Sequence, residues 1–431
     1  MAQRAAVAFV VLLWLLMPFP PLAVEADSEE EDSAAGAGIA LTTIFLRRQQ
    51  VPVIRNGTII ANKSAQVGRI FVGEPRQAFT VVFDTGSGHL VLPSTGCSSE
   101  ACSGKRLFNR TASRSATNID SSGALSGSGE RRRQVAITFG AGRVEGDLLH
   151  ETVCLGLTPE RPQDGCAGLN LVAATSMSEE PFQAFGFDGV LGLGLGSLSL
   201  TPDFSFLGAY ARQREGMRPQ FSVFLSADDE EPSEISFGGH SEARLASPLQ
   251  WAPVVDAQQG YWQVQLRGVR IGGEPLELCA LGGCRAILDS GTSMLGVPRS
   301  QLRVAHRALA RVLPEEHGPA DCRDEPGPPI VFELDGFDID LSTRDYSREE
   351  PASMLVAGGS PGYRRDFCRA SLLPVDSQEP LGPSVFVFGE PVLRRFYTVY
   401  DWGRQRIGFG LARHAEGRSQ RESPQKVSLQ V

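Results

Sequence analysis

The chain has 431 residues, with 50 Asp or Glu against 41 Lys or Arg and a formal net charge of −9. That balance, with no extended basic face, argues against nucleic acid as the main partner. With 42% hydrophobic residues, 47 Gly and 28 Pro, the chain is long enough for two lobes of many short strands and turns, and helix is a minority expectation.

At the amino end Arg4 precedes an apolar run from Ala5 to Leu16, Pro18, Pro20 and Pro21 break it, and Val24-Glu25-Ala26 precedes acidic Asp27. This is the pattern of an export signal over residues 1–26. The run falls well short of the ~20 residues that span a bilayer, so no transmembrane anchor is expected in the mature chain. The expected place is the secretory pathway, secreted or lumenal in an endosomal, vacuolar or secretory organelle. Residues 27–59 read as a short pro or linker segment, acidic from Asp27 and basic at Arg47-Arg48. Cleavage after Arg48 would release an inhibitory propeptide, while part of the stretch equally suits the first strand of an interlobe sheet. Three sequons, at Asn56, Asn62 and Asn109, are glycosylation candidates where exposed.

A first signature, Val81-Val82-Phe83-Asp84-Thr85-Gly86-Ser87, ends an apolar run on a carboxylate. A second, Ala286-Ile287-Leu288-Asp289-Ser290-Gly291-Thr292-Ser293, repeats the arrangement about half the chain later. Each has an apolar-apolar-Gly partner downstream, Val190-Leu191-Gly192 and Val387-Phe388-Gly389. One Asp-[Ser/Thr]-Gly triplet is a common turn; two of them, each behind a buried-strand pattern, form an internal repeat. Between the repeats Gln220–Leu225, Glu234–Phe237 and Trp262–Leu266 read as strands. Ser300 to Leu313 reads as a helix that begins after Pro298.

Eight cysteines, an even number, follow the signal and group by proximity as Cys97 with Cys102, Cys154 with Cys166, Cys279 with Cys284 and Cys322 with Cys368. Many other pairings remain open, and the even count fits an oxidising compartment. The six histidines are scattered and Cys-x4-Cys is poor ligand spacing, so no metal site is expected. The loop from Lys105 to Gln134, ending Glu130-Arg131-Arg132-Arg133, reads as a solvated loop. Gly192-Leu193-Gly194-Leu195-Gly196 lacks the Lys-[Ser/Thr] of a phosphate loop and reads as close packing. His89, near Asp84, reads as structural.

Two carboxylates within hydrogen-bonding distance cannot both ionise cheaply; they share one proton and their titrations separate. The ionised member can then take a proton from water while the protonated one polarises a peptide carbonyl, with no cofactor and no covalent intermediate. Gly86 and Gly291 let the loops approach, and Thr85, Ser87, Ser290 and Thr292 carry hydroxyls that can orient the carboxylates. A glycosidase also uses two carboxylates, but several ångströms apart across a sugar; the duplicated loops favour a tight dyad.

From about residue 60 to 412 the chain resembles the pepsin-like family of aspartic endopeptidases. The likeness rests on Phe83–Ser87, Phe187-Asp188-Gly189-Val190-Leu191-Gly192-Leu193-Gly194, Tyr261-Trp262-Gln263-Val264, Ile287–Ser293 and Phe388–Asp401, in the family order. It implies a mostly β, bilobal fold with two β-barrel-like lobes, catalytic Asp84 and Asp289 on the floor of a central cleft, and a β-hairpin flap above them. The implied organisation is an N-terminal lobe over 60–215, an interlobe connection over 216–245, a C-terminal lobe over 246–413 and a polar tail over 414–431. Phe139, Gly140, Ala141 and Gly142 fall in the flap, and Tyr261 falls on the cleft wall. The first, third and fourth cysteine pairs sit at family disulfide positions; Cys154 with Cys166 is an addition.

Two departures touch the site: the flap position that usually holds Tyr is Phe139, and the Trp that usually partners it is Val91. Both ends of one hydrogen bond are absent together, which costs far less than orphaning one. The resemblance implies a monomeric endopeptidase that binds extended peptide or protein substrates in strand-like fashion. A mildly acidic or neutral working pH is expected, because 41 Lys or Arg would be largely unbalanced once the carboxylates titrate. The alternative is a catalytically weak peptide-binding homologue of the same fold.

Overall fold

The computed structural model describes residues 41–55, 58–126, 134–139, 142–156, 165–228, 230–279, 283–314, 321–355, 364–376 and 381–415. The export signal, the acidic stretch before residue 41, Asn56, Gly140, Ala141, the Glu130–Arg133 run and the tail beyond residue 415 lie outside them.

A 14-stranded sheet ties the two lobes together. It runs from Gln250–Pro253 through Arg406–Leu411, Phe396–Asp401, Gln220–Phe224 and Ser233–Phe237 to the long strand Thr42–Arg55, then on through Thr58–Val72 into the N-terminal lobe. The strand Thr42–Arg55 makes the crossing because its two halves have different partners: Thr42–Leu46 pairs with Ser233–Phe237, and Arg47–Arg55 pairs with Thr58–Val67. Residues 42–55 and 58–59 thus belong to the folded body as one strand and the start of the next. The interlobe layer draws on residues from both ends of the chain as well as on 216–245.

Each lobe carries the same knot of strands around its signature. In the first, Gln77–Asp84 lies parallel to Gly189–Gly192, which pairs antiparallel with Leu90–Pro93. In the second, Cys284–Leu288 lies parallel to Val385–Phe388, which pairs antiparallel with Leu295–Pro298. The apolar-apolar-Gly segments are therefore the strands clamped between the two arms of each signature loop. A side chain has no room at either glycine: a Cβ on Gly192 would sit 2.6 Å from the Ser87 carbonyl oxygen, and one on Gly389 would sit 2.3 Å from that of Thr292.

The carrier strands are apolar because they run through the core, where Val81, Phe83, Ala286 and Leu288 are buried. Hydrophobic burial thus fixes the strands, and their polar ends are delivered to the interior face of the cleft. The helix read at Ser300–Leu313 is shorter, Leu302–Leu309, because Arg311 and Val312 pair with Cys368 and Phe367. Long-range pairing there overrides the local helical pattern. Four disulfides join the cysteines in the pairs grouped by proximity, leaving none free. No helix among the described residues is long and apolar enough to cross a membrane.

Candidate active site

Asp84 closes the first carrier strand and Asp289 follows the second by one residue. Their loops are clasped by four reciprocal hydrogen bonds. Thr85 N donates to Ser290 Oγ at 3.0 Å and Ser290 N donates to Thr85 Oγ1 at 3.0 Å. Thr85 Oγ1 donates to the Leu288 carbonyl at 2.8 Å, and Ser290 Oγ donates to the Phe83 carbonyl at 2.7 Å. Both hydroxyls are buried, so each bond works in a low-dielectric setting where leaving it unmade would be costly. Only a short hydroxyl residue at both positions can serve as donor and acceptor at once.

The clasp brings the carboxylates together across the lobe boundary, close enough that the charge of Asp289 acts on Asp84. The glycines that follow show how close the loops come. A Cβ on Gly86 would lie 2.9 Å from Asp289 Cγ, and one on Gly291 would lie 2.5 Å from Asp84 Oδ1. Asp84 Oδ1 accepts the Gly86 amide at 3.0 Å. Asp289 Oδ1 accepts the Gly291 amide at 2.8 Å, and its Oδ2 accepts the Thr292 hydroxyl at 2.6 Å. Ser87, the counterpart of Thr292, has a buried Oγ beside Asp84 that completes no hydrogen bond among the described residues.

This asymmetry has an electrostatic consequence. Asp84 keeps a little solvent contact at the cleft floor but is surrounded by protein. Burial first, then the charge of Asp289, raise its pKa from 3.8 to about 7, against the smaller opposing pull of the Gly86 amide. Asp289, with two strong donors on its oxygens, is the better seat for negative charge. Tyr261 brings its phenol to the same cleft floor, where burial and the fields of Asp289 and Asp84 raise its pKa.

Behind the dyad, Trp262 donates its indole N–H to the Leu193 carbonyl at 2.8 Å, and the Leu193 amide bonds the Asp84 carbonyl at 2.8 Å. Leu288 N in turn bonds the Trp262 carbonyl at 2.8 Å, so one indole residue braces both signature loops. His89 is buried, accepts the Leu200 amide on Nε2 at 3.0 Å and packs against Phe204. Burial lowers its pKa to about 4, so it braces the Leu200 loop as a neutral ring. Lys105 donates to the Phe185 and Phe187 carbonyls at 3.0 and 2.6 Å, fixing the segment that enters Asp188-Gly189.

The flap forms a hairpin in which Gln134–Phe139 pairs with Gly142–Asp147, Phe139 opposite Gly142. Gly142 is packed so closely on Pro181 and the Glu180 carbonyl that a Cβ would come within 2.7 Å of Pro181 Cδ. Val91 is completely buried in an apolar cluster with Val82, Val144, Val190 and Phe182, against which Val135 and Ile137 of the flap strand also pack. The base of the flap is therefore held by apolar contact. Of the sequons within the described residues, Asn62 is exposed, whereas Asn109 caps a short helical turn by accepting the Thr111 and Ala112 amides. Trp262 and Lys105 carry bracing contacts that sequence reading did not assign; Trp262 lay inside the Tyr261–Val264 motif, but its span to Leu193 is a tertiary fact.

The family model for eukaryotic aspartyl protease matches residues 65–412. Cathepsin E of Rattus norvegicus is 32% identical over 355 residues, covering 80% of this chain and 79% of the relative. Pepsin II-2/3 of Oryctolagus cuniculus is 32% identical over 355 residues, covering 80% of each. Cathepsin E-B of Xenopus laevis is 30% identical over 348 residues, covering 79% of this chain and 78% of the relative.

Proposed function

The chain belongs to the eukaryotic aspartyl protease family, and from that premise we propose that it is an active endopeptidase that cleaves extended peptides with Asp84 and Asp289. The observation that carries this reading is the reciprocal Thr85–Ser290 clasp, which holds two carboxylates within proton-sharing reach on the floor of a cleft.

At working pH the pair holds one proton, favoured on Asp84 by its burial and by the donors that stabilise charge on Asp289. A water between them gives a proton to Asp289 as its oxygen bonds the scissile carbonyl carbon. Asp84 passes its proton to the carbonyl oxygen, yielding a neutral gem-diol. Collapse then breaks the C–N bond: the amide nitrogen takes a proton from Asp289, a diol hydroxyl returns one to Asp84, and the dyad is restored. No group leaves the enzyme covalently modified, and no metal or cofactor enters the proton count. The raised pKa of Asp84 places the upper limit of activity near neutrality, which favours a mildly acidic or neutral optimum over one near pH 2. Four disulfides and the relatives named above support a secretory or lumenal setting.

A second reading, a peptide-binding homologue with weak or no turnover, is favoured by one observation: Phe139 and Val91 together remove the polar link between flap and body. Hydrolysis of a diverse peptide library from pH 3 to pH 7, with Asp84→Asn and a statine-type transition-state mimic as controls, separates the two. Cleavage abolished by both controls supports the endopeptidase; peptide binding without turnover supports the alternative.

A further inference from the structure

The clasp has a companion, a second connection between the two aspartate carriers. Leu193–Ser197, directly after the clamped strand Gly189–Gly192, lies against Ala257–Trp262, directly before Gln263–Leu266, the strand paired with the second carrier. Three hydrogen bonds cross this seam in order. The Trp262 indole N–H donates to the Leu193 carbonyl at 2.8 Å, the Leu195 amide to the Gly260 carbonyl at 2.9 Å, and Ser197 Oγ to the Ala257 carbonyl at 2.8 Å. The two segments meet without slack: a Cβ on Gly260, which sits at φ 85°, would lie 2.4 Å from the Leu198 amide nitrogen.

The residue that opens the second segment has an uncommon backbone. Asp256 lies in the left-handed region at φ 49° and ψ 41°, where residues other than glycine are rare and Asp and Asn are the best tolerated. Such a conformation persists only where its surroundings hold it. Here the hold comes from two side chains. Arg285 forms an ion pair with the Asp256 carboxylate, while its second terminal nitrogen donates to the Leu381 carbonyl at 2.6 Å. The side-chain amide of fully buried Gln263 donates to the Asp256 carbonyl at 3.4 Å and to Gln259 Oε1 at 2.9 Å. Arg285 belongs to the carrier strand Cys284–Leu288, whose next residue is Asp289. At the other end of the seam the Leu193 amide donates to the Asp84 carbonyl at 2.8 Å. A path of bonds thus leads from the carrier of Asp289, through Arg285, Asp256 and the seam, to Asp84.

We propose that Asp256 is a positioning residue of the dyad: paired with Arg285, it holds Ala257–Trp262 against Leu193–Ser197 and so fixes the separation of the two aspartate carriers. The inference rests on the endopeptidase reading. Asp256 acts through backbone and through Arg285, not on the substrate, so its effect belongs in turnover and not in substrate contacts.

The test compares wild type with Asp256→Asn, which keeps the shape of the side chain and its tolerance of the left-handed region while removing the charge, and with Arg285→Gln. With a peptide drawn from the library, each is expected to lower kcat roughly 3- to 10-fold, with KM within about twofold of wild type. The double variant should lose no more than the worse single one, because the two side chains act as a unit. Arg285→Lys, which keeps a cation opposite Asp256, should recover part of the turnover lost in Arg285→Gln. Should one single variant fail to fold, the other carries the comparison. A wild-type kcat in Asp256→Asn overturns the proposal even if its melting temperature falls, because a purely structural pair would move only the latter. Additive losses in the double variant overturn it as well. If wild type binds the statine-type mimic without turnover, the dissociation constant of the mimic carries the same comparison. If it neither cleaves nor binds, the endopeptidase reading fails and this inference with it.

Discussion

Asp84 and Asp289 occupy equivalent places in a repeat yet have unequal surroundings, and the inequality is testable through stability. The folded-state pKa of Asp84 lies near 7, above its ordinary 3.8, so the native state binds this proton more tightly than the unfolded chain does. The associated stability is fully present below about pH 4 and is lost as pH rises toward 7. Asp84→Asn keeps an acceptor for the Gly86 amide and removes the titration. Its unfolding free energy should match wild type near pH 3 and exceed it at pH 7, by a margin on the order of 1–4 kcal/mol, while cleavage disappears. A wild type more stable than the variant at pH 7 would contradict this. Gly291 supplies a second test. A Cβ there would lie 2.5 Å from Asp84 Oδ1 and 3.1 Å from Asp289 Oδ1, so Gly291→Ala must spread the dyad. The expected outcome is a loss of kcat of at least roughly 100-fold, as when reacting groups are displaced by an ångström, with circular dichroism unchanged. Retained turnover would mean that the loops are not held as tightly as the clasp implies.

At the scale of elements, the flap strand packs through Val135 and Ile137 against the apolar cluster that holds Val91. Val91 is fully buried in one apolar cluster with Val82, Val144, Val172, Val190 and Phe182, which leaves no exposed face for a larger ring. Val91→Trp is therefore expected to destabilise the N-terminal lobe by about 1–3 kcal/mol or more through overpacking, and not to restore a polar link. A melting temperature equal to wild type would show that the cluster holds hidden room. Such clusters were only partly legible in the sequence. The signature strands and their clamped Gly partners were legible because apolar runs and duplicated spacing are local signals. The four cysteine pairs were legible as a grouping by proximity because each cysteine bonds its neighbour in sequence order. The end of the Leu302–Leu309 helix was not, since it depends on a strand partner at Phe367–Cys368. Nor was the bond from the Trp262 indole to the Leu193 carbonyl, which joins residues far apart in the chain and forms only once the tertiary fold closes.

The molecule as a whole is held by strands that its two ends contribute to one sheet, and this decides what can be removed from the amino end. Ile44 and Leu46 are buried, at 2% and 3% exposure, in the same core as Val223, Ile235 and Phe237. Arg47 and Arg48 sit directly after them, opposite Val67 and Gln66 in the ladder that carries the chain into the N-terminal lobe. A cut after Arg48 would take away the strand Thr42–Leu46, five ladder positions against Ser233–Phe237 and two core side chains worth about 1.5–3 kcal/mol each. A chain beginning at Leu41 keeps all of these. Two truncations thus separate a removable leader from a structural strand. Starting at Leu41 should leave the melting temperature and cleavage rate intact, whereas starting at Gln49 should lower the melting temperature by several degrees and reduce kcat. The second effect follows because the same sheet carries Phe221 and Tyr400, which stack on each other and meet edge-on Trp262, the residue that braces both signature loops. Loosening its middle should reach the carboxylates before either lobe unfolds. A Gln49 chain as stable as the Leu41 chain but more active would instead identify residues 41–48 as an inhibitory segment that occupies the sheet until it is released.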